Sequence, residues 1–306
     1  MYIVGELRDS SVAKTIERIF IEQNVAGKVI PHEDHFVVVA ENEDSLKQVD
    51  TIYRLNVGLP IRQEMPKEWQ NLQRVKMGPM TKTIIVSCVI IFILGMINKP
   101  LDRSYAPFFI SVRPGSLFSE VMAGEFWRLW TPMLLHFSFL HIFFNLLWVK
   151  DIGSALEEQE STRTMIILTL IYGLLTNVAQ YLVVGPSFGG MSGVVFAYLG
   201  QMWMRAKFDP EVPYSLPKRD IGFMIGWLVL CMTGIIGAIA NVAHAIGLAC
   251  GMIVGIYLTL KSPSKSKKLA SSTVLIYAIT AIAFSILSIL VDWFHNGKLF
   301  FFEKFI

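Results

Sequence analysis

Residues 241–260 read NVAHAIGLACGMIVGIYLTL, a stretch without a single Asp, Glu, Lys or Arg. Hydrocarbon about 30 Å thick takes roughly 20 apolar residues of helix to cross, so this stretch reads as a membrane span. Two features set it apart from a helix that merely faces lipid. Gly247, Gly251 and Gly255 recur at every fourth residue, which places them on one face and lets a neighbouring backbone come close. Asn241 and His244 stand at its start, and polar side chains are costly in a bilayer, so each asks for a use.

Outward from this stretch the same pattern repeats. Apolar runs predict further spans near 81–98, 133–150, 165–184, 191–206, 219–237 and 270–293. The fourth is the shortest and holds polar residues, so it belongs inside the bundle. Over 306 residues only 17% are charged, against about a quarter in soluble domains, and the charges concentrate in the first 80 residues. That part predicts strands at 1–7, 28–30 and 35–40 and helices at 12–23, the first capped by Ser10 and Ser11, and at 43–55. The expected fold is an all-α membrane protein, a bundle of six core spans plus a seventh, with a small N-terminal α+β domain. Its parts are a cytosolic domain over 1–65, a linker over 66–80, a core over 81–262 and an added helix over 270–293.

Basic residues orient the bundle. Lys67, Arg74, Lys76 and Lys82 precede the first span; Arg205, Lys207, Lys218 and Arg219 lie between the fourth and fifth. Lys261, Lys265, Lys267 and Lys268 lie between the sixth and seventh, whereas the joints at 185–190 and 238–240 have no basic residue. A mixed joint at 150–163 and a long outer loop at 99–130 with Lys99, Arg103, Arg113 and Arg128 complete the set. The N-terminus, which has no signal-peptide pattern, is therefore expected in the cytoplasm and the C-terminus outside, in the cell's inner (plasma) membrane. A net charge of +3 is too small to point to nucleic acid. Cys88, Cys231 and Cys250 all fall in apolar runs, without the spacing of a disulfide framework or zinc site.

Three polar clusters interrupt the spans: His141 and Asn145, one helical turn apart; Gly190-Met191-Ser192-Gly193 at the start of the short fourth span; and Asn241 to His244 with its glycine strip. Each alone reads most simply as helix packing or an interhelical hydrogen bond. Together they supply the parts of an acyl-transfer site. A serine hydroxyl needs a base within hydrogen-bond reach, and His244 is that base for Ser192 if the fourth and sixth spans touch. The glycine strip, with Gly193, Ala197 and Gly200 opposite, is what such contact requires. His141, Asn145 and the Ser192 backbone N–H are candidate donors to an oxyanion. No acidic residue lies near His244 in sequence, so a Ser/His dyad is expected rather than a triad.

The strings WRLWTPMLLHFSFLHIFFN (127–145), FGGMSGVVFAYLG (188–200) and NVAHAIGLACG (241–251), in this order and spacing, resemble the rhomboid intramembrane serine proteases over roughly residues 80–260. Residues 1–65 are also similar, more weakly, to the small cytosolic domain of the enterobacterial type. The resemblance implies that Ser192 is the nucleophile, His244 the general base, and His141 and Asn145 the oxyanion helpers. It makes Trp127 and Arg128 structural residues of the first outer loop, and Glu157 a structural acid at the end of the second span. Gly190, Gly193, Gly247 and Gly251 serve as close-packing positions. Phe196 stands where many bacterial members have a Tyr that stacks on the base. The seventh span resembles the six-plus-one arrangement.

The implied activity is endopeptidase cleavage of transmembrane protein substrates within the lipid bilayer, without metal or other cofactor. The alternative is a catalytically silent rhomboid-like binder of membrane proteins. An α/β-hydrolase elbow is absent because Val194 occupies its last position, and His32-Glu33-Asp34-His35 lacks zinc-protease spacing. Nothing in the sequence signals an oligomeric state.

Overall fold

The protein, in a computed structural model, is described over residues 1–62, 65–97, 104–112, 117–237, 239–263 and 271–296. The expected roles of Lys99, Arg103, Arg113, Lys265, Lys267 and Lys268, and of the tail from residue 297, lie outside the described residues. The chain divides into two units, Met1–Met65 and Pro66–Ile306.

In the first unit, β1 (Tyr2–Leu7), α1 (Ser10–Glu22), β2 (Gly27–Pro31), β3 (Phe36–Ala40) and α2 (Glu43–Val57) follow in order. The sheet is antiparallel with strand order β1-β3-β2. The helices close over it through a core of Ile16, Phe20, Val38, Val49 and Ile52. The cap of α1 is Asp9, not the serines expected, because its carboxylate reaches the Ser11 N–H at 2.7 Å while Ser10 and Ser11 already lie in the helix.

The second unit is helical. Residues 66–80, expected as linker, contain α3 (Lys67–Arg74) and the first residues of α4 (Pro79–Ile97). Among the described residues five helices are long and apolar enough to cross a membrane: α4, α5 (Phe139–Glu160), α6 (Thr162–Val184), α9 (Asn241–Lys261) and α10 (Ser271–Asn296, over Ser272–Phe294). The chain is a multi-pass helical membrane protein. Between α6 and α9 lie two shorter helices, α7 (Ser192–Phe208) of 17 residues and α8 (Lys218–Met232) of 15.

Two boundaries differ from the sequence reading for physical reasons. The span expected at 133–150 begins instead at Phe139, where the Ser138 hydroxyl caps the helix by accepting from the His141 N–H. It then runs on to Glu160 through a π-helical turn at Val149–Gly153. The joint expected at 150–163 falls at Ser161, where φ is +77°; in the helix before it Lys150 and Asp151 pair at 2.9 Å and Glu157 is consumed as a cap on α4. The span expected at 219–237 stops at Met232, because Gly234 and Gly237 take φ of +75° and +100°, left-handed values that end helices.

Helix α7 is buried along nearly its whole length, as suits a short helix holding polar groups in a membrane protein. Its closest neighbour is α9. A Cβ at Gly247 would meet the carbonyl oxygen of Gly193, and one at Gly251 the carbonyl of Ala197. From the other side a Cβ at Gly200 would lie 2.5 Å from the Leu248 carbonyl oxygen. The two backbones touch, and only residues without side chains permit it.

Candidate active site

Where α7 and α9 begin, their first turns bring Ser192 and His244 together. Ser192 is the first residue of α7, after a loop whose Gly190 has φ +124°, a conformation that L side chains rarely adopt. His244 lies in the first turn of α9. The Ser192 Oγ stands 2.7 Å from His244 Nε2, within reach for the hydroxyl to donate to the ring when its proton is on Nδ1. The imidazole is 4% exposed, and its Nδ1 has no hydrogen-bond partner among the described residues. The Phe196 ring, one turn beyond Ser192, lies against it with centroids 4.8 Å apart and planes at 35°. Only apolar contact holds the base from that side.

His141 sits in the first turn of α5. Its Nε2 would lie 2.6 Å from a Cβ at Gly190, so the glycine allows the ring to come against the loop two residues before Ser192. Asn145, one turn on and buried, donates from Nδ2 to the His141 carbonyl at 2.8 Å. That bond uses one of its two N–H groups. The first N–H groups of α7 have no acceptor within the helix, and its positive end points at the same place. Beneath Ser192, Gly193 packs against Thr176 of α6, whose Cβ would lie 3.0 Å from an added Cβ, and against Ala243.

The other expected residues sit away from the pair. Arg128 is buried and binds the Glu125 carboxylate at 2.7 Å and the carbonyls of Ala106 and Phe109 at 2.6 and 2.8 Å. It thereby ties together the loop before α5. Trp127 is 52% exposed, with its indole N–H on the Pro107 carbonyl at 3.4 Å. Glu157 accepts from the N–H groups of Met80 and Thr81, both at 2.9 Å, and from the hydroxyls of Thr81 and Thr162 at 2.7 and 2.9 Å. A carboxylate on free amides at a helix start is a cap, here joining the end of α5 to α4.

Three groups near the site were not singled out from sequence. Gln180 of α6 accepts from the Ala243 N–H at 3.0 Å, fixing the first turn of α9. Asn177 donates to the Leu129 and Trp130 carbonyls at 3.0 and 3.2 Å. The ring of His136, fully buried, lies 4.9 Å from that of His141. The signal that would have found the first two is the rule applied to the other spans, that a polar side chain in an apolar run asks for a partner. In the same loop Glu120 accepts from the Ser111 and Ser119 hydroxyls, both at 2.6 Å, and from the Val112 N–H at 3.0 Å. Burial opposes its charge, but these hydrogen bonds outweigh it and hold the carboxyl down at about 2.

Among the described residues no group of three His, Cys, Asp or Glu side chains is placed to hold a metal ion. The fold and this polar centre define a class: a multi-pass membrane protein with a serine–histidine pair among its buried helices. Residues 123–261 match the model of the Rhomboid domain, a stretch that runs from the loop before α5 to the end of α9. Over those residues the chain carries a Rhomboid domain.

Proposed function

We propose that this chain is an intramembrane serine endopeptidase that cleaves transmembrane proteins with a Ser192/His244 dyad. The carrying observation is the 2.7 Å contact between Ser192 Oγ and His244 Nε2, made by residues 52 apart in sequence that a glycine-lined helix seam holds together. A silent binder of membrane proteins would need neither the pair nor its contact.

In this reading the Ser192 oxygen attacks the scissile carbonyl carbon while its proton passes to His244 Nε2. The C–O bond forms and the carbonyl π pair moves to oxygen, giving an oxyanion. His141, Asn145 and the Ser192 backbone N–H donate to it. The C–N bond then breaks as His244 returns the proton to the leaving amine, and water repeats the sequence on the acyl-enzyme. Phe196 keeps the ring in place without competing for its nitrogen. Arg128 and Glu157 hold the scaffold, as do the closely packed Gly193, Gly247 and Gly251.

Substrates are transmembrane helices that unwind near the membrane surface, since a peptide bond must leave its helical hydrogen bonds to reach Ser192. In this reading α7 and α8 also cross the membrane, giving six core spans and α10 as the seventh. The first unit is cytoplasmic, and the protein resides in the inner membrane with the loop before α5 on the outer side. Labelling by a fluorophosphonate probe tests the site: the probe should modify Ser192 in the wild type and fail in His244→Ala. Equal labelling of the two would overturn the dyad.

A further inference from the structure

The backbone N–H of His141 is taken by the Ser138 hydroxyl and its carbonyl by Asn145, but among the described residues no hydrogen bond fixes its ring. The torsion that turns an imidazole about its Cβ–Cγ bond is broad, so a free ring would not hold one nitrogen toward Ser192. Here its neighbours hold it. His136 lies against it with centroids 4.9 Å apart and planes at 59°, and Phe137 stacks on it at 6.3 Å and 29°. Gly190 closes the side nearest Ser192. The Gly190 N–H donates to the Pro132 carbonyl at 3.0 Å, which ties that loop to the turn carrying both rings.

His136 is fixed more firmly than packing requires. Its side chain is fully buried. Nδ1 lies 3.1 Å from the Leu134 carbonyl, which can only accept, so Nδ1 carries the proton. Nε2 is then a lone pair, and it has no hydrogen-bond partner among the described residues. Burying such an atom costs free energy that a phenyl ring would not lose. What the imidazole provides is a ring whose plane is set by a hydrogen bond. Its backbone is held as well: the buried Tyr105 donates from its hydroxyl to the His136 carbonyl at 3.0 Å and meets the Phe137 ring edge-on at 5.8 Å. Gly95 of α4 makes room for Tyr105, since a Cβ there would strike its ring.

We propose that His136 is a positioning residue for His141, seating its ring so that a nitrogen points at the oxyanion formed at Ser192. This deepens the peptidase reading and rests on it. A donor already in place needs no reorganisation as charge develops in the transition state, whereas a ring free to turn is misdirected for part of the time. Tyr105 supports the same seat from α4, one step further from the chemistry. His136 acts through His141 alone, so the effect of removing it must vanish once His141 is gone.

The test is a double-mutant cycle on the purified full chain with a single-span substrate. It measures kcat, KM and Tm for wild type, His136→Asn, His141→Ala and the double variant, by single turnover where the reaction is slow. Asn can keep a donor to the Leu134 carbonyl but lacks the ring. We expect His136→Asn to lower kcat about tenfold, less than loss of the donor itself, with KM near wild type, and to add nothing in the His141→Ala background. Tyr105→Phe, which removes one hydroxyl from the support, should lower kcat about threefold and likewise add nothing there. Unchanged kcat in His136→Asn overturns the inference. So does a fall of the same size in both backgrounds, since His136 would then act through the fold and not through His141. If His136→Asn does not fold, Tyr105→Phe decides by the same criterion. A wild type that leaves the substrate intact and ignores the fluorophosphonate probe overturns the peptidase reading, and the inference with it.

Discussion

Gly247 and Gly193 meet backbone to backbone, with no room for even a Cβ between them, and this contact sets the distance between the helices that carry His244 and Ser192. Packing and chemistry therefore share one seam. Gly247→Val or Gly251→Val must push α7 and α9 apart, at a cost of about 1–3 kcal/mol or more from overpacking. Both variants should melt several degrees lower in detergent and lose Ser192-dependent cleavage. A stable and fully active Gly247→Val protein would show that the seam does not set the site.

Much of this arrangement was legible in sequence. The spacing of Gly247, Gly251 and Gly255 read as a close-packing face because helical periodicity depends on local geometry alone. The short, polar-containing fourth run read as an interior helix for the same reason. Partnerships across the bundle were not legible. Glu157 caps an amide pair some 76 residues away, and Gln180 holds Ala243 across 63; no local pattern encodes such pairs. The joint expected at 150–163 does fall there, at Ser161, but the end of α5 was not legible, because a helix that runs past its apolar stretch on ion pairs and caps leaves no local pattern.

For the proposed oxyanion donors, His141→Ala and Asn145→Ala should each lower kcat by about 10²–10³-fold while leaving KM near wild type. Gly190→Ala belongs to the same test. Its Cβ would meet His141 at 2.6 Å in a backbone with φ +124°, so it should depress kcat as well. Steady-state kinetics on one substrate separates these outcomes. Full kcat in both helper variants would leave His141 and Asn145 as packing residues only.

Acid should loosen the loop before α5. Glu120 is held at about 2, below the ordinary 4.5, so its contribution to stability is fully present above the unfolded value and is lost as pH falls through the window from about 4.5 to about 2. Glu120→Gln should destabilise the protein at neutral pH and show less loss of Tm across that window than wild type. Thermal melts at a series of pH values measure this; identical acid profiles for the two proteins would contradict it.

The proposed orientation puts the basic residues at one set of helix ends in the cytoplasm. Met122→Cys, in an exposed turn of the loop before α5, should react with a membrane-impermeant thiol reagent on intact cells. Lys14→Cys in α1 should react only after the inner membrane is opened. The reverse pattern would invert the topology.

The most direct test of the dyad is cleavage of a single-span model substrate by the purified protein, wild type against Ser192→Ala. Removing the Oγ that lies 2.7 Å from His244 Nε2 deletes one small polar atom and leaves the helix seam intact. The account predicts that the wild type produces a discrete cleavage product and that Ser192→Ala, with an unchanged Tm, produces none. Cleavage by Ser192→Ala at the wild-type rate in a preparation free of other proteases would contradict it.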